Sequence, residues 1–513
     1  MASVNQTGAS SIDQRGLAAA QSRTLLWFTL GAAASLLAVD ARWDVPLAAW
    51  FAPVLLLRFS RTSEWPIAIG GIVIASTLQI AAYIFEMGAP FSTTGITLCL
   101  ILGALFAVPY VIDRLFAQRL GDIERLFLLP VAAVLIEFLA ASLLPVGASI
   151  GTRAITQSGN LELMQITSLV GPYSIGFLIA LAATVANHIW ESPTQKSWLA
   201  YGGSFAAVLL VVLAFGQVRL AFASNAAAGD TVKIAGIVPR QALHDPAWAV
   251  SVTKYPPTEQ TREDLTTPQM KALYADLQDE LLADSRAAAT SGAKIILWSE
   301  TAAPVLEADK SVLLQKVSEL TKNKGVYVNA AIGVHYARNE TFLFGPDGEQ
   351  NWHYRKNHPV PGMEPVEPFR NDVPLVTTPY GRLTNIICYD ADFPALARVR
   401  ADIMLLPGMD DPNMAYVHTM RMARLRSIEN GYSLVRIDYN GVSAAFDPYG
   451  RVLAMLDTTP GRAYTMLVDV PIKGVPTLYS RIGDLFAWIC IFATLGLCLI
   501  SFVRPTRRAM RLD

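Results

Sequence analysis

Eight stretches of nearly uninterrupted apolar sequence constrain this chain more than any other feature, and seven of them precede residue 216. They run Thr24–Val39, Val45–Leu57, Trp65–Phe85, Gly95–Ile112, Leu126–Leu144, Ile166–Trp190 and Leu199–Phe215, with Ile482–Val503 near the other end. Several approach the roughly 20 residues that a helix needs to cross the hydrocarbon core of a bilayer. Charged residues make up 16% of the 513, well under the roughly 25% of an ordinary soluble domain. The first two runs are short and read equally well as a tilted or re-entrant pair. The sixth contains VGPYSIG, a Gly/Pro interruption that neighbouring helices can tolerate. A net charge of −1 gives no basic excess for nucleic acid.

Loop charges orient the spans. Arg58 and Arg61 follow the second, Arg114, Arg119 and Arg125 the fourth, Lys196 the sixth, and Arg504, Arg507, Arg508 and Arg511 the last. The alternate short loops carry only Arg42 and Arg153. The bias of Lys and Arg toward the cytoplasmic face then puts both termini in the cytoplasm. The expected organisation is a polar N-terminal segment over 1–22, without the pattern of a removable signal peptide. A membrane domain of about seven helices follows over 23–225, then an extracytoplasmic insert over 226–478, a transmembrane helix over 479–503 and a basic tail over 504–513. A transporter fits poorly, because Glu137 is the main ionisable residue inside the spans.

The insert alternates short β-rich runs with amphipathic helices. VKIAGIV, KIILWSE, VYVNAAIGVHY, GRLTNIIC and ADIMLLPG read as strands. MKALYADLQDELLAD places Leu273, Leu277 and Leu281 on one helical face. SVLLQKVSELTKNKG and MAYVHTMRMARLRSIENG read as helices stopped by Gly325 and Gly431. YSLVRIDYNGVSAAFDPYGRVLAML reads as a strand pair, with turn signals at Asn440-Gly441 and Asp447–Gly450. Strands alternating with helices predict an α/β domain.

Three polar residues stand out there: Glu300 ends the strand KIILWSE, Lys356 lies in YRKNHPVPGMEP and Cys388 ends the strand GRLTNIIC. Strand ends are where α/β sheets present functional groups. Cys388 is the only cysteine of the polar part, since Cys99, Cys490 and Cys498 lie in apolar runs. A thiol is a weak nucleophile at neutral pH until a base or a nearby cation helps to form the thiolate. Glu300 can act as that base, Lys356 can favour the thiolate and hold an oxyanion, and the Tyr389 backbone N–H is a natural second donor. Each residue also has a bland reading, as a turn residue, a surface charge or a buried packing cysteine. The six histidines are scattered without cysteine partners at ligand spacing, so neither a metal nor another cofactor is expected.

The insert resembles the nitrilase, or carbon–nitrogen hydrolase, superfamily. The matching pieces are LWSET around Glu300, YRKNHPVPGMEP around Lys356, IICYDADFP around Cys388 and the long run MARLRSIENGYSLVRIDYNGVSAAFDPYGRVLA. Together with seven spans before the insert and one after, the chain resembles the membrane-embedded branch of that superfamily, the apolipoprotein N-acyltransferases; GNLELMQITSLVGPYSIGFLI is similar to the corresponding membrane segment of that family. The resemblance implies a polytopic α-helical membrane domain joined to an extracytoplasmic α/β nitrilase-like domain, an αββα sandwich. It implies a bacterial inner-membrane enzyme that moves an acyl chain from a phospholipid donor to the α-amino group of a diacylglyceryl-lipoprotein acceptor. It carries Glu300 over as general base, Lys356 as oxyanion stabiliser, Cys388 as nucleophile and Glu364 as a supporting carboxylate, with Tyr389 and Asp390 just after the nucleophile.

Some positions depart from the family. Asp390 stands where the acyltransferases usually have Glu, and with Phe393-Pro394 it resembles the soluble amidases. LLPGMDDPNM replaces their Asn-Asp-Ala-Trp-Phe-Gly run, VPRQALHDPAW displaces a Trp to Trp248, and HPVPGMEPVEP replaces their HLVPFGEYVP. Met363, Val366, Phe369, Met409 and Met414 offer lipid-facing groups, or else ordinary loop packing. Two rival readings remain: a membrane-tethered amidase or hydrolase using the same residues, and a catalytically inactive binding protein.

Overall fold

The computed structural model describes residues 7–88, 92–226, 230–241, 243–245, 266–334, 338–361, 364, 366, 368–457 and 463–504. Its helices Thr7–Leu36, Pro46–Thr62, Trp65–Glu86, Thr93–Phe116, Asp122–Leu143, Tyr173–Glu191, Gly203–Ala226 and Leu485–Val503 correspond to the eight apolar runs. Among the described residues, six helical stretches are long and apolar enough to cross a membrane: Trp65–Glu86, Thr93–Arg119, Asp122–Leu143, Tyr173–Glu191, Gln195–Phe222 and Leu485–Val503. The chain is therefore a multi-pass membrane protein. Of the two short runs, the first is the end of a helix that already starts at Thr7, inside the stretch expected to be merely polar. The second, Pro46–Thr62, has 17 residues, a turn short of a full crossing.

The sixth run is broken rather than kinked. A single turn, Thr167–Val170, stops at Gly171, and a new helix starts at Tyr173. Gly171 has φ +82, a conformation that side chains rarely adopt. A Cβ there would also come within 2.5 Å of the Tyr479 ring, so the break is where the chain leading to the last span packs down.

The α/β domain contains β1 (Thr231–Val238), β2 (Ile295–Trp298), β3 (Ala303–Val305), β4 (Tyr327–Val334), β5 (Arg338–Phe344), β6 (Gln350–Arg355), β7 (Leu375–Thr378), β8 (Gly381–Asn385), β9 (Ile403–Met409), β10 (Ser433–Tyr439), β11 (Val442–Phe446), β12 (Val452–Asp457) and β13 (Tyr464–Pro471). They form two sheets, ordered β13-β1-β2-β4-β5-β6, with β3 on β4, and β12-β11-β10-β9-β8-β7. In the first sheet β1, β2 and β4 are parallel, with Ile234 opposite Ile295. In the second β8, β9 and β10 are parallel, with Leu383 opposite Ile403 and Ile403 opposite Ser433. Antiparallel strands flank both trios. The expected strand pair after Tyr432 is in fact three strands, β10 to β12, because both turn signals are used; Asn440 takes φ +61 at the first.

The sheets pack face to face through Ile234, Ile295, Leu297 and Leu343 from one and Leu383, Leu405, Leu434 and Val435 from the other. Their approach is close enough that a Cβ on Gly236 would sit 1.9 Å from Ile437 Cδ1, so only glycine fits there. Helices Pro268–Thr290 and Lys310–Lys324 cover the first sheet with Leu281, Leu313 and Val317. Leu277 and Leu281 of the expected helical face are buried, with Leu273 half-buried. Gly325 and Gly431 end their helices in the left-handed conformation, φ +65 and +71, as the sequence predicted.

The second sheet is covered by Val417–Asn430, a wide π turn running into Arg424–Asn430. Its Leu425 and Ile428 in turn pack on Leu163, Met164 and Ile175 of the membrane domain. The αββα sandwich thus lies with one helical layer directly on the membrane helices. Arg421 pairs with Asp44 at 3.0 Å, Arg398 with Asp484 at 2.7 Å, and Gln165 donates to the Tyr449 carbonyl at 3.0 Å.

Candidate active site

The parallel strands of each sheet end at one edge, and the polar residues singled out in the sequence gather there. Glu300 follows β2, Lys356 follows β6 and Cys388 follows β8 by three residues, so the thiol sits just past the strand rather than at its last position. The Glu300 backbone N–H donates to the Gly408 carbonyl at 3.2 Å, which ties the end of β2 to β9 in the opposite sheet. Two of the four described non-glycine residues with positive φ are here: Thr301 at +50 and Cys388 at +45. Such positions cost of order 1–3 kcal/mol and persist where the surroundings over-determine them.

Lys356 is the hub. Its ammonium donates to Glu300 Oε1 at 2.8 Å and to Glu364 Oε1 at 2.5 Å. Asn339 Nδ2, from β5, also donates to Glu300 Oε1, at 2.6 Å. Glu300 and Lys356 are each 1% exposed. Two carboxylates around one buried ammonium would be untenable unless the charges were closely paired. Burial by itself would neutralise Lys356, but Glu300, Glu364 and Cys388 outweigh it and hold its pKa well above that of an ordinary lysine. Burial lifts Glu364 to about 7, against the pull of Lys356. With Oε1 taken by two donors, Glu300 Oε2 is buried and has no hydrogen-bond partner among the described residues.

Cys388 is 4% exposed. Burial and then the Glu300 carboxylate push its thiol well above the usual range, while Lys356 and Arg436 pull the other way. Burial and the Glu300 charge thus favour the neutral thiol over the thiolate. Cys388 opens a one-turn helix, Cys388–Asp392, whose first N–H groups have no partner inside the turn. Asp390 faces away from the sulfur: it accepts from Tyr354 Oη and from the His358 backbone N–H, both at 2.8 Å, and from the Ile387 N–H at 3.2 Å. Those bonds make it a brace for the turn. The Tyr389 hydroxyl donates to the Pro145 carbonyl at 3.1 Å, and the Ala148 N–H donates to the Asp392 carbonyl at 2.7 Å. The turn that carries the sulfur therefore rests on a loop of the membrane domain.

A second buried charge cluster flanks the sulfur from the other sheet, and sequence reasoning missed it. Arg436 of β10 lies 3.7 Å from Cys388 Sγ and donates through Nη2 to Asp410 and to Asp438, both at 2.7 Å. His418 Nδ1 meets Asp410 at 2.8 Å. Burial opposes charge on His418, but Asp410 outweighs it and raises its pKa above the usual value. Arg436 and Asp438 stand two apart in a strand, so they share a face. An Arg-x-Asp inside the otherwise apolar run YSLVRIDY was the available signal.

The loop residues offered as lipid-facing separate. Met414 is buried against membrane-domain residues such as Val39 and Tyr83, so it is packing rather than a lipid contact. Met409 is half-buried beside the sheet core. Phe369 is 39% exposed, with Arg355 stacked 4.0 Å above its ring. Val366 is half-buried. Met363 and Trp248 lie outside the described residues.

Two family models match the chain: the apolipoprotein N-acyltransferase N-terminal domain over residues 30–185 and the carbon–nitrogen hydrolase domain over residues 265–475. Among curated relatives, the apolipoprotein N-acyltransferase of Geobacter metallireducens is 25% identical over 388 residues, covering 68% of this chain and 69% of that protein. The protein of the same name from Bradyrhizobium diazoefficiens is 24% identical over 450 residues, covering 80% and 79%. Among solved structures, an amidase from Nesterenkonia sp. aligns with 51% of this chain and 96% of its own, at 16% identity and a TM-score of 0.39. Together, the match of a membrane half and of a hydrolase-type half, and relatives that carry the same name, support assignment of the chain to the apolipoprotein N-acyltransferase family within the nitrilase superfamily.

Proposed function

We propose that the chain is a membrane N-acyltransferase that moves a fatty acyl group from a phospholipid to the N-terminal amine of a diacylglyceryl-lipoprotein through a thioester on Cys388. The observation that carries this reading is the buried Glu300 carboxylate, whose Oε1 accepts from Lys356 and Asn339 while its Oε2, like Glu364 Oε2, has no hydrogen-bond partner among the described residues. A buried thiol whose pKa is raised by burial and by the Glu300 carboxylate calls for general-base catalysis rather than a preformed thiolate.

In the first half-reaction Glu300 takes the proton from Sγ as the sulfur adds to the ester carbonyl. The oxyanion is held by the Lys356 ammonium and by the Tyr389 backbone N–H. Collapse breaks the C–O bond. The glycerol oxygen leaves with the proton returned by Glu300, and lysophospholipid departs. In the second half-reaction the acceptor amine adds to the thioester, gives its proton to Glu300 and displaces the sulfur, which is reprotonated. Glu364 keeps Lys356 in place, and Asp390 braces the turn. Support for a lipid donor comes from the hydrogen bonds between the nucleophile turn and the 145–148 loop, which put the sulfur against the membrane helices. The loop charges favour cytoplasmic termini in a bacterial inner membrane, with the α/β domain on the outer side.

The test is incubation of the purified protein with labelled phospholipid and a diacylglyceryl peptide, alongside Cys388→Ala. Acyl-peptide formed by the wild type alone, with a thioester trapped on Cys388 by mass spectrometry, is the expected result. Free fatty acid without acyl-peptide would make the chain a hydrolase, and equal product from the variant would remove Cys388 from the reaction.

A further inference from the structure

A cavity of about 340 Å³ lies on the α/β domain away from the sulfur, lined by Arg382, Arg400, Asn430, Ser480 and Arg481 among others, with no carboxylate in its wall. Its volume falls in the range of small-ligand pockets, about 300–1,000 Å³. Arg382 opens β8 and Asn430 precedes β10, so the cavity sits at the strands' entry edge. Cys388 lies past the other end of β8, six residues on, or roughly 20 Å of extended chain.

The local charge does not cancel. Arg382 is held by Asp402, with Nε to Oδ2 at 2.9 Å and Nη2 to Oδ1 at 3.3 Å. The remaining capacity of Asp402 goes to backbone, from Arg382 N–H at 2.8 Å and Gly474 N–H at 3.1 Å. The other nearby carboxylate, Asp484, is taken by Arg398 at 2.7 Å and by the Tyr479 hydroxyl at 2.8 Å. Arg400 and Arg481 therefore make no ion pair among the described residues, and both are exposed. Two uncompensated guanidiniums around a pocket suit an anion that accepts planar, paired hydrogen bonds.

What surrounds Arg481 selects the source of that anion. Leu478, Ile482 and Leu485 are 45%, 38% and 48% exposed, and Leu485 is the first residue of the span Leu485–Val503. Apolar side chains beside a cationic pocket at the start of a transmembrane helix match a lipid whose chains lie in the bilayer and whose head group carries the charge. We propose that this three-arginine pocket binds the phosphate of an anionic phospholipid at the membrane surface, as a site separate from the one that carries Cys388.

The experiment is thermal unfolding of the purified full chain in a non-ionic detergent. It is titrated with short-chain phosphatidylglycerol, with phosphatidylcholine of the same chain length, and with inorganic phosphate. Ligand that binds the folded state raises the midpoint with concentration. Phosphatidylglycerol is expected to give a saturable rise that shrinks as salt is added, with little from the other two. Arg400→Gln/Arg481→Gln is expected to weaken that response at least tenfold, while Cys388 still reacts with iodoacetamide at the wild-type rate. An equal rise from inorganic phosphate would overturn the lipid assignment. An undiminished phosphatidylglycerol response in the double variant, or a wild-type response indifferent to salt, would overturn the pocket.

Discussion

The two sheets approach the same sulfur with opposite kinds of charge cluster. From the first come Glu300, Glu364 and Lys356: two carboxylates on one ammonium, with one oxygen of each carboxylate left over among the described residues. From the second come Asp410, Asp438, Arg436 and His418, in which two cationic groups meet two carboxylates. The first cluster holds an oxygen that can accept a proton. The second holds a guanidinium against the sulfur with its carboxylates occupied. On the proposed mechanism the first side takes part in the chemistry, and the second holds the field and the geometry around it. The difference gives the two sides separable signatures.

The largest effect is expected from Glu300→Gln. Acyl transfer should fall by about 10²–10⁴-fold, the usual worth of a general base. Because the Glu300 carboxylate raises the thiol pKa, the same change should move the pH profile of Cys388 alkylation by iodoacetamide to lower pH. Lower activity together with an easier thiolate would set Glu300 apart from a residue that merely supports the fold. Arg436→Met should move the alkylation profile the other way, to higher pH. It should also cost about 3–5 kcal/mol of stability in denaturant unfolding, since it strands Asp410 and Asp438. Arg436→Lys should recover part of both. If the two variants shifted the thiol in the same direction, the contrast between the sheets would fail.

Glu364→Gln sharpens the first side. Its carboxyl is raised to about 7 in the fold, so the folded state keeps that proton longer than the unfolded chain. The stability this contributes is complete below the ordinary carboxylate pKa and is lost as pH rises through about 7. Across that window the wild type should lose on the order of 2 kcal/mol relative to Glu364→Gln, read as the difference between their unfolding midpoints at each pH. Tyr389→Phe should be the smallest change, about 1 kcal/mol for one hydrogen bond. Its readout is faster proteolytic cleavage within 388–393, with the Arg436 network intact.

The contrast also explains what could be read from the sequence. Glu300 and Cys388 were visible because each follows an apolar β run and stands out from it, and Lys356 because of the motif YRKNHPVPGMEP around it. Arg436 was hidden for the opposite reason: it lies in the middle of such a run, and only the pairing of β10 with β9 brings Asp410 beside it. β5 and β6 escaped notice because RNETFLF and QNWHYR mix polar and apolar residues without clean alternation. The apolar spans were legible from hydropathy, but the break at Gly171 was not, since it depends on the Tyr479 ring arriving from 308 residues further along the sequence. Asp390 looked like a departure from the family's usual Glu. Its three donors are Tyr354, His358 and Ile387, and two of them come from the neighbouring β6 region, which no local pattern announces.

The seat of the nucleophile turn on the 145–148 loop has a consequence for biogenesis. A polypeptide made of the α/β half alone would contain every polar side chain of the reaction and yet lack the floor under its sulfur. That half on its own would lack these contacts, so the alignment of the thiol depends on the α/β half docking onto the membrane helices.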